Sequence, residues 1–162
     1  MTGVLNHSPA EITLELLIEE TLGYRVSDAS PVDWMVFLNT TRNEKYVSTS
    51  DFLVDKTITV YDTQGIVGDR VQFGVYPESH GVQIALRLNE YEERVGYLKA
   101  KSIQDHLDLQ INRKSLTIDS TNYLIHSYSR SSDIVRVNNV SKDDHTKGLM
   151  FTLNLLIFVT KV

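Results

Sequence analysis

GVQIALRLNEYEERVGYLKAKSIQDHLDL, from Gly81 to Leu109, carries two hydrophobic periods in succession. Val82, Ile84, Leu86 and Leu88 alternate with Gln83, Ala85 and Arg87, the two-residue period of a strand with one buried face. From Asn89 the spacing changes. Tyr91, Val95, Leu98, Ile103 and Leu107 read as one helical face at steps of three and four. A strand and a helix with one apolar side each need cover for those sides, so the stretch predicts an α+β domain. It contains no constellation of reactive groups.

Upstream, Ser8-Pro9-Ala10-Glu11 has the form of a capping box: a hydroxyl for a free amide, proline at the first helical position, and a glutamate reaching back. The helix it opens places Leu14, Leu17, Ile18, Thr21 and Leu22 on one face and Glu11, Glu15 and Glu19 away from it. Gly23 offers the left-handed conformation that ends a helix. After Pro31, Val32, Trp34, Val36 and Leu38 alternate with Asp33, Met35 and Phe37, a strand covered on both faces. Asn39 to Lys56 is polar, and reads either as a loop or as an extended hairpin around Tyr46-Val47 and Phe52 to Val54. Thr57 to Asp62 predicts a strand stopped by the turn residues Asp62 to Gly65. Beyond Gly65 and Gly68, Val71, Phe73 and Val75 alternate until Pro77, and Pro77 to Gly81 predicts a turn into the Val82 strand.

Downstream, Ser115 to Ile118 and Tyr123 to Arg130 predict two strands about an Asp119 to Asn122 turn, with Leu124 and His126 on a common face. Ser131 to Gly148 reads as a polar surface loop with a β-segment at Ile134 to Val137. In the closing strand, Leu149, Phe151, Leu153, Leu155, Ile157 and Val159 form a core face. Its second face, Met150 to Thr160, begins polar and turns apolar, and its far end needs cover from a helix or another subunit.

A chain of 162 residues with 41% apolar and 23% charged residues has the size and composition for one core. It has no cysteine, hence no disulfide framework, thiolate metal site or thiol nucleophile, a usage that fits cytosolic assembly. The net charge of −5 and the lack of a Lys/Arg block oppose a surface that grips phosphates. MTGVLNHSPAE is unlike a signal peptide, and no stretch reaches the roughly 18 apolar residues of a membrane span.

Catalytic chemistry is hard to find. No Gly-x-Ser-x-Gly elbow presents a serine, and His7, His80, His106, His126 and His145 form no close helical pair. Asp143-Asp144-His145 reads as solvated surface. Gly65-Ile-Val-Gly68 lacks the lysine and hydroxyl of a phosphate loop. Glu90, Glu92 and Glu93 suit the start of a helix by its dipole, and Tyr123 and Tyr128 suit packing. The expectation is a non-enzyme with no catalytic, cofactor or metal residues.

Several phrases, in order, resemble the tail terminator proteins of long-tailed bacteriophages, also labelled minor capsid or tail completion proteins. They are Ser8-Pro-Ala-Glu11, the strand at Trp34, Ile58-Thr-Val-Tyr-Asp-Thr63, His80-Gly-Val-Gln-Ile-Ala-Leu-Arg87, the Tyr91 helix with Lys99-Ala-Lys-Ser-Ile103, and Phe151-Thr-Leu-Asn-Leu155. The resemblance implies an α+β subunit with a mixed, mainly antiparallel sheet and two principal helices packed against it. It implies one domain over residues 1–162, with polar loops at about 39–56 and 131–148. It further implies a homo-oligomeric, typically hexameric, ring at the head-tail junction of the virion, assembled in the host cytoplasm. Such a ring caps the tail tube, stops tube polymerisation and presents a surface to a head-completion or neck protein, while DNA passes through its lumen without specific binding. No cofactor or membrane is involved.

Two departures stand out. Asn39 to Lys56 is longer than the family usually has there, and Lys147-Gly148 stands where an arginine often precedes the closing strand. The residues expected to make subunit or tube contacts are Gly65, Gly68, Arg70, Arg87, Glu92 and Arg130. The alternatives are another neck or head-completion protein or, from a different class, a small enzyme or nucleic-acid-binding α+β module.

Overall fold

A computed structural model describes residues 5–25, 34–38, 56–63, 78–89, 92–143 and 146–162. Among them, in chain order, lie helix α1 (Pro9–Glu19), strands β1 (Met35–Leu38), β2 (Thr57–Thr63) and β3 (Glu78–Asn89), and helix α2 (Glu93–Asp105). A π-helical turn (His106–Gln110) continues α2, and β4 (Lys114–Ile118), β5 (Thr121–Arg130), β6 (Val135–Asp143) and β7 (Thr146–Lys161) follow. The sheet runs β1-β2-β3-β7-β5-β4, with β6 also paired to β7. Only β1 and β2 are parallel, so the protein is α+β with a mixed, mainly antiparallel sheet.

The alternation in β3 is the buried face expected of it: Val82, Ile84, Leu86 and Leu88 lie in the core with Ile58, Val60, Phe151, Leu153 and Leu155. The other face is also covered at its centre, where Met35, Phe37, Thr57, Thr59, Ala85 and Thr152 are buried. In β1, Met35, Val36 and Phe37 are all buried, as the two-sided reading of that strand requires. Pro77 to Gly81 is not a turn over its described part. Glu78 to Gly81 already pair with Val159 to Leu156 of β7. Gly81 also sits opposite Thr63, and a Cβ there would collide with the Thr63 hydroxyl.

Helix α1 begins at Pro9 with the serine half of its capping box in place, the Glu11 amide donating to Ser8 Oγ at 3.1 Å. Its end differs from expectation. The left-handed residue is Thr21, at φ 56°, and it is exposed. Gly23 serves close packing instead, since a Cβ there would run into Val36.

Helix α2 matches the predicted face only in its later part, where Ile103 and Leu107 are buried. Gly96, Ala100, Ile103 and Gln104 are the buried residues, continued by Leu107, while Val95 and Leu98 face solvent and Tyr91 lies outside the described residues. The step of five from Leu98 to Ile103 already breaks the stripe. Gly96 explains the rest, because its missing side chain admits Leu88 and Phe151: a Cβ would sit 2.7 Å from one Leu88 methyl and 2.8 Å from the Phe151 ring.

The β4–β5 turn is tighter than Asp119 to Asn122. Asp119 (φ 45°) and Ser120 (φ 66°) alone are left-handed, the geometry of a two-residue hairpin turn whose twist matches its strands. In β5 a bulge falls between Ile125 and Ser127, so the buried positions pass from Tyr123 and Ile125 to Tyr128. The polar stretch 131–148 is not a loop over most of its length. β6 spans Val135–Asp143 and β7 starts at Thr146, three residues before Leu149. β5 and β6 lie along the same side of β7, β6 on its first half and β5 on its second. On the second face of β7, Leu156 and Phe158 are half-buried.

Candidate assembly surface

The inward turn of Gly96, Ala100 and Ile103 sends the larger apolar residues of α2 outward. Val95 is 43% exposed and Leu98 53%, and Leu109 on the π-helical turn reaches 75%. Tyr97 flanks this row and meets the edge of Phe151, with ring centroids 6.3 Å apart. An ion pair of 3.1 Å between Glu93 and Arg136 brings the start of α2 next to β6, where Val135 is also exposed. Val95, Leu98 and Leu109 thus leave large apolar side chains in solvent on the outer side of this helical stretch.

The expected contact residues separate into three groups. Gly65, Gly68 and Arg70 lie outside the described residues, as does most of the polar stretch 39–56 and the pair Asp144-His145. Arg130 is exposed, yet its Nε lies 3.2 Å from an Asp108 carboxylate oxygen and its Nη1 donates to Gln104 Oε1 at 3.4 Å, so its charge is engaged within the chain. Glu92 is the half-buried residue before α2, and its side chain makes no capping bond. Arg87 differs from Arg130: it is half-buried on the sheet face opposite Leu86, and its buried Nε has no hydrogen-bond partner among the described residues.

Two polar clusters were not visible in the sequence. At the end of α1, Glu20 meets His106 Nε2 at 2.9 Å and Lys114 Nζ at 2.8 Å, and Lys114 reaches Glu19 at 3.5 Å. The hydrogen bond from Lys114 holds the Glu20 carboxyl below its ordinary range, with His106 adding to the effect, and Glu20 in turn raises Lys114. The second cluster centres on Tyr123. Its hydroxyl oxygen accepts the amides of Asn6 (3.2 Å) and His7 (3.1 Å), which leaves its proton for His7 Nδ1 at 2.7 Å. His7 Nε2 then points at Asp119, 3.4 Å away. Both clusters join residues 86 to 117 positions apart, a distance that no local spacing could reveal.

Tyr123 and Tyr128 are packing residues. Tyr128 is buried with its hydroxyl 3.0 Å from Thr13 Oγ1, and burial pushes its phenol well above the usual range. His126 bonds Thr160 at 3.0 Å. Among the described residues, no group of three His, Cys, Asp or Glu could hold a metal ion, and no helix is long and apolar enough to cross a membrane. No family model and no curated protein matches the chain.

Proposed function

We propose that this chain is a structural virion subunit: a ring-forming protein that caps the head-proximal end of a phage tail tube, stops its polymerisation and offers the surface for head-tail joining. The observation that carries the reading is the outward apolar row of Val95 and Leu98 on α2 and Leu109 on the π-helical turn, which fits a surface covered by another protein chain. The ordered phrases shared with tail terminator proteins supply the setting. In this reading both helices lie against the sheet, supported by the contact of Tyr97 with Phe151 and of Thr13 with Tyr128. A closed ring needs two different patches on each subunit. The α2 row and Arg87 are such a pair, since Gly96 abuts Leu88 on one sheet face while Arg87 points from the other. The protein then works through contacts, without catalysis.

The test is the protein's mass in solution and its position on purified particles. A ring at the head-tail junction is expected, and Val95→Ser combined with Leu98→Ser should abolish it while leaving the melting temperature of the subunit within a few degrees. A chain that stays monomeric and is absent from that junction ends the proposal. Tails of normal length that lack only the head contact would move the chain to a neck role.

A further inference from the structure

The hydroxyl of Tyr123 is used to its full capacity. Its side chain is fully buried, and its oxygen accepts two backbone amides, from Asn6 at 3.2 Å and from His7 at 3.1 Å. A phenolic oxygen that keeps its own proton has no lone pair for a third donor. His7 Nδ1 lies 2.7 Å from the same oxygen, so Nδ1 accepts the Tyr123 proton. The one proton of the neutral imidazole then sits on Nε2, which faces Asp119 at 3.4 Å. This arrangement admits a single tautomer and a single charge state of His7.

Residues 5–7 are tied here to elements far along the chain. Asn6 Nδ2 donates to Thr121 Oγ1 at 3.3 Å, Lys161 Nζ donates to Asn6 Oδ1 at 3.1 Å, and Leu5 packs against the core. The charged groups about the imidazole are Asp119 in the β4–β5 turn and, across Asn6, Lys161 at the end of β7. Further along are Glu11 in the first turn of α1 and Asp62 of β2, which accepts the Ala10 amide at 2.8 Å. The His7 side chain is only 11% exposed, whereas that of Asp119 is 86% exposed.

A second proton, on Nδ1, would set an N–H against a hydroxyl with no lone pair left to receive it. Either the ring swings away or an amide bond to Tyr123 is given up, and each course leaves a polar group without its partner. Asp119 provides the way out, because its carboxylate lies in solvent and draws the imidazolium outward. We propose that His7 and Tyr123 form a pH-sensitive latch: neutral His7 holds residues 5–7 on the β4–β5 hairpin and the end of β7, and its protonation releases them. The latch is closed where His7 is neutral and opens as the pH falls through the histidine range, about pH 8 to 5. It is built from one chain alone and does not depend on the assembly that the chain makes.

Amide hydrogen exchange on the full-length protein, read residue by residue by NMR and corrected for the intrinsic pH dependence of exchange, tests the latch at about pH 7.5 and about pH 5. Protection of the Asn6 and His7 amides should fall on the order of tenfold between the two, while the amides of β3 keep theirs. His7→Gln, whose amide oxygen can accept the Tyr123 proton without titrating, should hold the protection at both pH values. Tyr123→Phe, which removes the acceptor, should lack it at both. The imidazole nitrogen shifts of the wild type should place the proton on Nε2 at about pH 7.5, and a proton on Nδ1 there overturns the latch. Wild-type protection that does not change with pH also overturns it, as does a fall of the same size in His7→Gln. Should Tyr123→Phe fail to fold, the comparison of the wild type with His7→Gln decides.

Discussion

Gly96 shows what a single residue decides. Its place against Leu88 and Phe151 sets which side of α2 is buried, and through that which apolar side chains are left outside. Valine at this position would push two methyl groups into a gap with no room for a Cβ. Gly96→Val is therefore expected to destabilise the subunit by about 1–3 kcal/mol, the usual cost of overpacking, read as a lower urea midpoint at unchanged slope. The error in the predicted helical face has the same origin. The strand half of Gly81 to Leu109 was legible because Val82, Ile84, Leu86 and Leu88 are all large and apolar. The buried face of α2 holds Ile103, which the period picks out, but otherwise Gly96, Ala100 and Gln104, which add little to it, while Val95 and Leu98 add much and point outward. Residues that bury backbone or small side chains leave almost no trace in a pattern of apolar types.

Among the elements, α1 was the most legible because its start is encoded in adjacent residues. Ser8→Ala removes the acceptor of the Glu11 amide and is expected to cost about 1 kcal/mol, seen as a fall of several degrees in melting temperature. The end of the helix was less legible. Glycine is the usual left-handed residue, yet Thr21 takes that conformation and Gly23 is held by the approach of Val36, a tertiary contact. The β4–β5 hairpin falls between these cases: Asp119 and Ser120 are turn formers, but only pairing in the sheet decides that Thr121 and Asn122 belong to β5. β6 was legible only in part, as Val135 to Val137. From Asn138 onward the strand is defined by its pairing with β7 rather than by its polar composition.

For the whole molecule, the cluster of Glu20, His106, Lys114 and Glu19 ties the end of α1 to the π-helical turn and to β4. Its linkage to pH has a defined sign at each end. Glu20 is lowered from its ordinary value of 4.5, so its contribution is complete above that pH and is lost as the pH falls through the folded-state value. Lys114 is raised from 10.5, so its contribution is complete below that pH and is lost as the pH rises beyond it. Glu20→Gln should remove part of the drop in melting temperature on acidification below about pH 4.5, measured by thermal melts between neutral and acid pH. The candidate surface was legible only as a choice of charges. Arg87 and Arg130 look alike in the sequence, and only the position of Asp108 separates an arginine already paired from one without a partner. One feature of the sheet also bears on how the chain reaches this state. β7 lies between β3 on one side and β5 with β6 on the other, and its partners in β3 stand roughly sixty to eighty residues earlier, a long-range pairing of the kind that makes folding slow. Until β7 docks, β3 and β5 each present an unpaired edge to the same gap, which makes that interval the one in which nascent chains are most open to chaperone capture or to edge-to-edge aggregation.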